Sequence, residues 1–434
     1  MKPIAVDAMG GDKAPAEIVA GARQAAAEGI PVLLVGPADL GDIVDCGDLE
    51  LLVASEVIGM SEDAASSVKK KKDSTLVRSA EAVRDGKASA MISAGNTGAT
   101  MASALLRMGR VDGVKRPAIA TPIPVPGSTP TILLDAGANA EVEVAWLGQF
   151  AVMGSVFSAE RYGIASPKVG LLSIGEEPGK GDTLRKQAYE LLSAHTGINF
   201  IGNVEGRDIM TTEVDVVVTD GFTGNVALKS LEGAMKAVVK ALFTAIGEPQ
   251  YKEHADALMP AFLDLYSQFD PDSTGGAMLL GLNGVCIISH GSSSARAMVN
   301  GIKVARDMVQ GDIVEKIRVA VAASGHCEFA RQRSHAARVR NVDRLRLWRH
   351  RVVATGAHPF VVLSRTRRRA IQRATRVSRR CRGWFGAGRR NVSTSPTIRR
   401  RSAHRFAQKR GQRPNPGSCR AALGHRSVHS VGPR

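Results

Sequence analysis

Five short apolar runs, at residues 3–6, 90–92, 131–134, 214–219 and 285–288, each end in a polar segment rich in Gly, Asn or Ser. The segments read DAMGGD (Asp7 to Asp12), SAGNTGA (Ser93 to Ala99), DAGAN (Asp135 to Asn139), DGFTGN (Asp220 to Asn225) and SHGSSS (Ser289 to Ser294). In a parallel α/β sheet such loops gather at the carboxyl ends of the strands, where ligands bind. Glycine lets the backbone approach a ligand closely, and a helix starting behind the loop offers free N–H groups to an anion. The pattern therefore predicts one wide polar crevice suited to a phosphate-like group.

The rest of the body supports that frame. Ile4–Asp7 reads as a strand, Ala14–Glu28 as a helix with Pro15 in its first turn, and Pro31–Gly36 as a second strand. This βαβ opening is expected to be right-handed and parallel. Strand–helix pairs follow at 89–93 with 97–108, 131–135 with 144–157, and 168–174 with 182–193. Two more lie at 214–219 with 225–247 and 284–289 with 294–310. Alternation of this kind predicts a Rossmann-like α/β/α sandwich with a mostly parallel central sheet.

Charge divides the chain. Residues 1–330 carry 29 Lys+Arg against 40 Asp+Glu, whereas residues 331–434 carry 29 Lys+Arg against the single Asp343. The expected organisation is one domain over 1–325 and an Arg-rich tail over 331–434. With little apolar periodicity and almost no acid, the tail should be disordered. Its arginine bias, with Lys409 the one lysine, resembles GC-rich DNA read in the wrong frame after a body ending near Ser324. A real extension that binds membrane or RNA is the alternative. A segment so basic would bind any polyanion in a salt-dependent way, but it shows no RRM, helix-turn-helix or zinc pattern, so no specific nucleic acid is expected.

The five cysteines are widely spaced and form no CxxC pair, which favours neither a zinc site nor a disulfide framework. Lys2 leads straight into the first strand, and no apolar run of about 18 residues occurs, so a cytoplasmic protein without a signal peptide or span is expected. The sharpest amphipathic stretch is Lys229 to Glu248, with Leu231, Met235, Val238, Val239, Leu242, Phe243 and Ile246 at helical spacing. A second, with Leu258, Phe262, Leu265, Tyr266 and Phe269, follows a Pro-containing break. Such stripes usually pack in a core or dimer interface. The sharper reading is a projecting helix pair over 229–270 that touches a membrane, with Lys236 and Lys240 facing headgroups.

IAVDAMGGDKAP, KKKKDS, SAGNTGA, LLDAGAN, GEEPGKG, NFIGNVEGRDI, DVVVTDGFTGNVALK and HGSSS occur in this order between residues 4 and 294. The ordered set resembles the bacterial fatty acyl-ACP:phosphate acyltransferase (PlsX) family over about residues 1–320. That resemblance implies attack of inorganic phosphate on an acyl–acyl carrier protein, giving acyl phosphate for a separate glycerol-3-phosphate acyltransferase. It also implies a fold related to phosphotransacetylases and isocitrate dehydrogenases, no cofactor, a homodimer, and loose attachment to the inner face of the membrane.

The residues suit this chemistry. Phosphate is itself the nucleophile, so the protein has to supply positioning and charge stabilisation. Lys180, between Gly179 and Gly181, is the candidate cation nearest the reacting groups, or else a solvated loop lysine. Asn96 and Asn225 can donate N–H to an oxyanion or phosphate, and Asn225 also begins the predicted helix. His290 either protonates the leaving thiolate or is a structural histidine. Lys180, Asn225 and His290 are thus the catalytic candidates. Gly10, Gly11, Asn96, Thr97, Gly98, Asn139, Asp220, Gly224 and Ser292 are the substrate-binding candidates. Asp7, Asp12, Asp135 and Asp220 are expected to shape loops and orient donors. Lys69, Lys70, Lys71 and Lys72 form either a solvated face or a docking patch for acidic carrier protein. A dinucleotide dehydrogenase is disfavoured because DAMGGD lacks the third glycine of GxGxxG and sets Asp12 against a pyrophosphate. A phosphotransacetylase acting on acyl-CoA would use the same anion-binding logic.

Overall fold

The computed structural model describes residues 1–324. The Arg-rich segment 331–434, and the disorder or altered frame expected for it, lies outside the described residues. The chain runs through β1 (Ile4–Asp7), α1 (Ala16–Ala27), β2 (Val32–Gly36), α2 (Leu40–Ile43), β3 (Glu50–Val53), α3 (Ala64–Lys70) and α4 (Thr75–Arg84). It continues through β4 (Ala90–Ser93), α5 (Thr97–Met108), β5 (Ala118–Ile123), β6 (Thr131–Leu134), α6 (Val144–Tyr162), β7 (Lys168–Leu172) and α7 (Thr183–Ser193). Next come β8 (Asn199–Val204), β9 (Val216–Val218), α8 (Gly221–Ile246) and α9 (Lys252–Phe269). The last elements are α10 (Pro271–Thr274), β10 (Ala277–Leu280), β11 (Val285–Ile288) and α11 (Ala295–Gln310).

Among the described residues, eleven strands form one sheet in the order β3-β2-β1-β4-β11-β10-β5-β6-β9-β7-β8. Strands β1, β4, β6, β9 and β11 are buried along their whole length, as expected where helices cover both faces. Side-chain alternation sends Ile4, Val6, Ile132, Leu134, Val216 and Val218 into one core layer, with Phe150 and Phe157. Ala5, Met91, Leu133 and Val217 enter the other. Two apolar layers on a single sheet make the α/β/α sandwich expected from the sequence.

The strand directions correct the expectation of a single crevice. β3, β2, β1, β4 and β11 are mutually parallel, and so are β6, β9, β7 and β8. Between these halves, β10 pairs antiparallel with β11 and β5, and β5 antiparallel with β6. Three reversals leave the two halves pointing opposite ways. The carboxyl ends of β1, β4 and β11 therefore open at one edge of the sheet, and those of β6, β7 and β9 at the other. The five polar loops divide three and two.

α8 has 26 residues, a length of about 39 Å. It starts four residues earlier than the periodicity suggested, because Asp220 caps it by accepting the Thr223 N–H. Only Gly221 and Gly224 in its first turn are buried. Farther along, α8 and α9 enclose an apolar groove of about 220 Å³ lined by residues including Met235, Leu242, Phe262 and Phe269. No helix among the described residues is long and apolar enough to cross a membrane.

Candidate active site

At the first edge several polar loop residues bind one another. The Asp7 carboxylate accepts the Ser93 hydroxyl at 2.7 Å and the Met9 N–H at 3.3 Å, and burial pushes its carboxyl up from the ordinary range. A Cβ on Gly10 would meet Ser93 Oγ at 2.7 Å and the Gly95 nitrogen at 2.8 Å. Gly10 thus lets the loop after β1 lie against the loop after β4. Gly11 holds φ +109° beside the Gly291 carbonyl, and Gly98 packs α5 on Ala64. Asn96 caps α5 by accepting the Ala99 N–H at 3.0 Å. Its amide donates to the Met60 and Glu62 carbonyls at 2.9 and 3.1 Å. With both N–H donors directed at the 60–62 loop, Asn96 has none left for a phosphate.

That loop is itself locked. Glu62 accepts from Lys71, from the Gly59 N–H and from the Ser67 hydroxyl, and these bonds hold its carboxyl down at about 2. Lys71 also donates to the Val57 carbonyl, so it turns inward while Lys69, Lys70 and Lys72 remain exposed. The basic cluster is three outward lysines at this first edge. His290 is exposed, and its Nδ1 lies 2.8 Å from Ser292 Oγ and accepts the Ser292 N–H at 3.3 Å. Thr97 is exposed at the start of α5.

The second edge is built differently. Asp135 is wholly buried and accepts N–H groups from Ile119, Gly137, Ala138 and Asn139 at 2.8 to 3.2 Å. The Asn139 side chain donates to Asp135 and to the Pro117 carbonyl, both at 2.8 Å, so it holds the loop rather than facing a ligand. The next loop docks onto this one through the Gly221 N–H, 2.7 Å from the Asn139 carbonyl. A Cβ on Gly221 or Gly224 would strike the backbone of Asn139 or Asp135. These glycines fix the start of α8 against the buried loop.

Beside them opens a cavity of about 580 Å³ lined by Ala140, Glu141, Val142, Leu184, Arg185, Asp220, Phe222 and Thr223. Burial pushes the Asp220 carboxyl up, but the Thr223 N–H and hydroxyl and the Arg185 guanidinium outweigh it, leaving Asp220 below the usual carboxylate range. Arg185, not singled out from the sequence, donates to Asp182 at 3.0 Å, to Asp220, and to Thr223 Oγ1 at 3.2 Å. The signal available was its place three residues after the capping Asp182.

Lys180 and Asn225 stand on the two segments flanking this cavity. Lys180 is exposed in the turn between β7 and α7, and its backbone N–H bonds the Glu177 carbonyl at 3.0 Å. Its ammonium makes no ion pair among the described residues. Gly181, at φ +93°, has no room for a side chain beside Arg185, whereas Gly179 faces open space. Asn225 is exposed in the second turn of α8, next to Gly137, rather than at the helix start.

The structure thus brings Lys180, Asn225, Asn139, Asp220 and Gly224 to one edge. Gly10, Gly11, Asn96, Thr97, Gly98, His290 and Ser292 lie at the other, because the sheet reverses direction between them. Among the described residues the second edge offers an ammonium without an ion pair, on Lys180, and an exposed side-chain amide, on Asn225, a pair suited to an anion and a polarised carbonyl. Among the described residues no group of three or more His, Cys, Asp or Glu side chains is arranged to hold a metal ion.

A sequence family described as "Fatty acid synthesis protein" matches residues 2–316. A phosphate acyltransferase of Pelotomaculum thermopropionicum is 46% identical over 325 residues, covering 73% of this chain and 94% of the relative. One from Elusimicrobium minutum is 46% identical over 334 residues, covering 74% and 96%. Among solved structures, the EutD phosphotransacetylase from Staphylococcus aureus aligns with a TM-score of 0.46 at 18% identity, covering 71% of this chain and 94% of that one.

Proposed function

The chain belongs to the phosphate acyltransferase (PlsX) family and so transfers an acyl group to phosphate; from that premise we propose that the donor is a fatty acyl thioester of acyl carrier protein. The reaction takes place at the second edge. The observation that supports this location is the cavity lined by residues 140–142 and by the first turns of α7 and α8, with Lys180 just before α7 and Asn225 just past the first turn of α8.

An oxygen of hydrogenphosphate forms a bond to the thioester carbonyl carbon. Lys180 sits against the converging negative charge of phosphate and the developing oxyanion, and the Asn225 amide donates to that oxyanion. The tetrahedral intermediate collapses by breaking the C–S bond. The proton carried in by hydrogenphosphate ends on the thiolate, so the products are acyl phosphate and the free carrier thiol. Phosphate is the nucleophile throughout, and the protein's part is to hold two anions together. Acyl phosphate is then available for acylation of glycerol 3-phosphate by a separate enzyme.

A homodimer held weakly to the inner face of the membrane fits this role. Exposed Val238, Leu242, Leu258, Leu263, Leu265 and Tyr266 on α8 and α9 support an apolar contact. The test is release of carrier thiol from palmitoyl-ACP with and without inorganic phosphate, beside a palmitoyl-CoA control. Phosphate-dependent release from palmitoyl-ACP is expected. Turnover of palmitoyl-CoA alone would make the protein a phosphotransacetylase-type enzyme.

A further inference from the structure

We infer that Arg185 is a positioning residue, a clamp that joins the N-caps of α7 and α8 and thereby sets the distance between Lys180 and Asn225. The inference rests on the reading above for the roles of those two side chains. Its own basis is the hydrogen-bond pattern around one guanidinium.

Two helices begin at this edge, each capped by an aspartate that also holds Arg185. Asp182 caps α7 with Oδ1, which accepts the Arg185 backbone N–H at 2.8 Å, and takes the guanidinium Nη1 on Oδ2 at 3.0 Å. Asp220 caps α8 with Oδ1, which accepts the Thr223 N–H at 2.8 Å, and takes Nη2 on Oδ2. Nη2 also donates to Thr223 Oγ1 in the first turn of α8. One planar fork therefore spans two caps from adjoining loops. Lysine has a point charge instead of the fork and cannot hold both carboxylates in that geometry.

The burial differs along the clamp. The Arg185 side chain is 13% exposed and that of Asp220 8%, but that of Asp182 60%. The α8 end is rigid, since Gly221 and Gly224 are pressed on the Asp135 loop. The α7 end has less support: Lys180, Asp182 and Thr183 are all exposed. Arg185 thus ties the more exposed, lysine-bearing loop to the fixed, asparagine-bearing helix. With both carboxylates already on it, the guanidinium brings little net charge to a phosphate. Its effect is on alignment, and a misplacement of about 1 Å costs about 10²-fold in rate.

The clamp predicts a specific kinetic split in the full-length protein. Arg185→Ala should lower kcat for phosphate-dependent thiol release by about 30- to 100-fold, while the KM for phosphate moves less than about threefold. About 10 mM guanidinium chloride should restore at least about fivefold of the loss, and Arg185→Lys should fall between Arg185→Ala and wild type. Asp182→Asn, at an exposed position, should keep the fold and lose about three- to tenfold in kcat. A large rise in phosphate KM at retained kcat would make Arg185 a phosphate ligand and overturn the clamp, as would wild-type kinetics in all three variants. Amide hydrogen exchange separates this from failure of the functional reading. In Arg185→Ala, exchange should quicken at 180–187 and at 220–226 whether or not wild type releases thiol. Unchanged exchange there would overturn the clamp even if the enzyme proves to be the acyltransferase described.

Discussion

At the ends of β1, β4 and β11 the side chains of Asp7, Ser93 and Asn96 are spent on neighbouring loops, whereas beside the loops after β6, β7 and β9 the Lys180 ammonium and the Asn225 amide are exposed next to a cavity. Both edges have a buried aspartate at a strand end, Asp7 in one and Asp135 in the other. Both have glycines where no Cβ fits. At the first edge Asn96 directs all of its hydrogen-bonding groups to the helix cap and the 60–62 loop. At the second, Asp135 and Asn139 hold the loop together, and the Lys180 and Asn225 side chains on the adjoining segments are exposed near the cavity. A glycine-rich loop after a strand is therefore not a site by itself. What marks the second edge is a cavity beside side chains that the fold leaves exposed.

The contrast is most exposed to removal of one side chain at each edge. Lys180→Ala should lower kcat/KM for phosphate-dependent thiol release by about 10²- to 10³-fold, the scale of a lost oxyanion partner. His290→Ala should lower it less than about tenfold, well short of the loss of a general acid. Equal losses would mean that both edges serve one reaction. Glycine substitutions sharpen the comparison through stability. Gly10→Ala collides with Ser93 and Gly95 and should cost about 1–3 kcal/mol in denaturant unfolding. Gly179→Ala, next to Lys180 but facing open space, should stay within about 0.5 kcal/mol. The smallest effect is a pH response at the first edge. Glu62 has its carboxyl lowered from 4.5 to about 2, so its stabilising contribution is complete above pH 4.5 and lost as pH falls through about 2. Glu62→Gln should lower the denaturation midpoint at pH 7 and converge with wild type at pH 2. A constant difference across that window would remove Glu62 from the lock.

Much of the fold was legible because its parallel strands read as buried apolar runs followed by helical periods. The helix at 97–108 matches α5 (Thr97–Met108), where Asn96 is both turn residue and cap. The reversal in the middle of the sheet was not legible. β5 carries Pro122, and β10 is four residues between Gly276 and Gly281, so neither shows strand periodicity. Without those strands the two halves read as one continuous parallel sheet, and their loops as one crevice. Of the candidate residues, Lys180 and Asn225 are the two catalytic candidates that the fold places at one edge, and both are exposed there. Arg185 was not legible in the sequence, because its partner Asp220 lies 35 positions away and only the fold brings them together.

The most direct measurement is anomalous diffraction from crystals of the protein grown with tungstate, an oxyanion of phosphate geometry that tungsten makes visible. The account predicts one peak beside the cavity at the second edge, within hydrogen-bonding reach of Lys180 Nζ and the first turn of α8. A peak held instead by Gly11, Thr97 and Ser292, with the Lys180 edge empty, would contradict it.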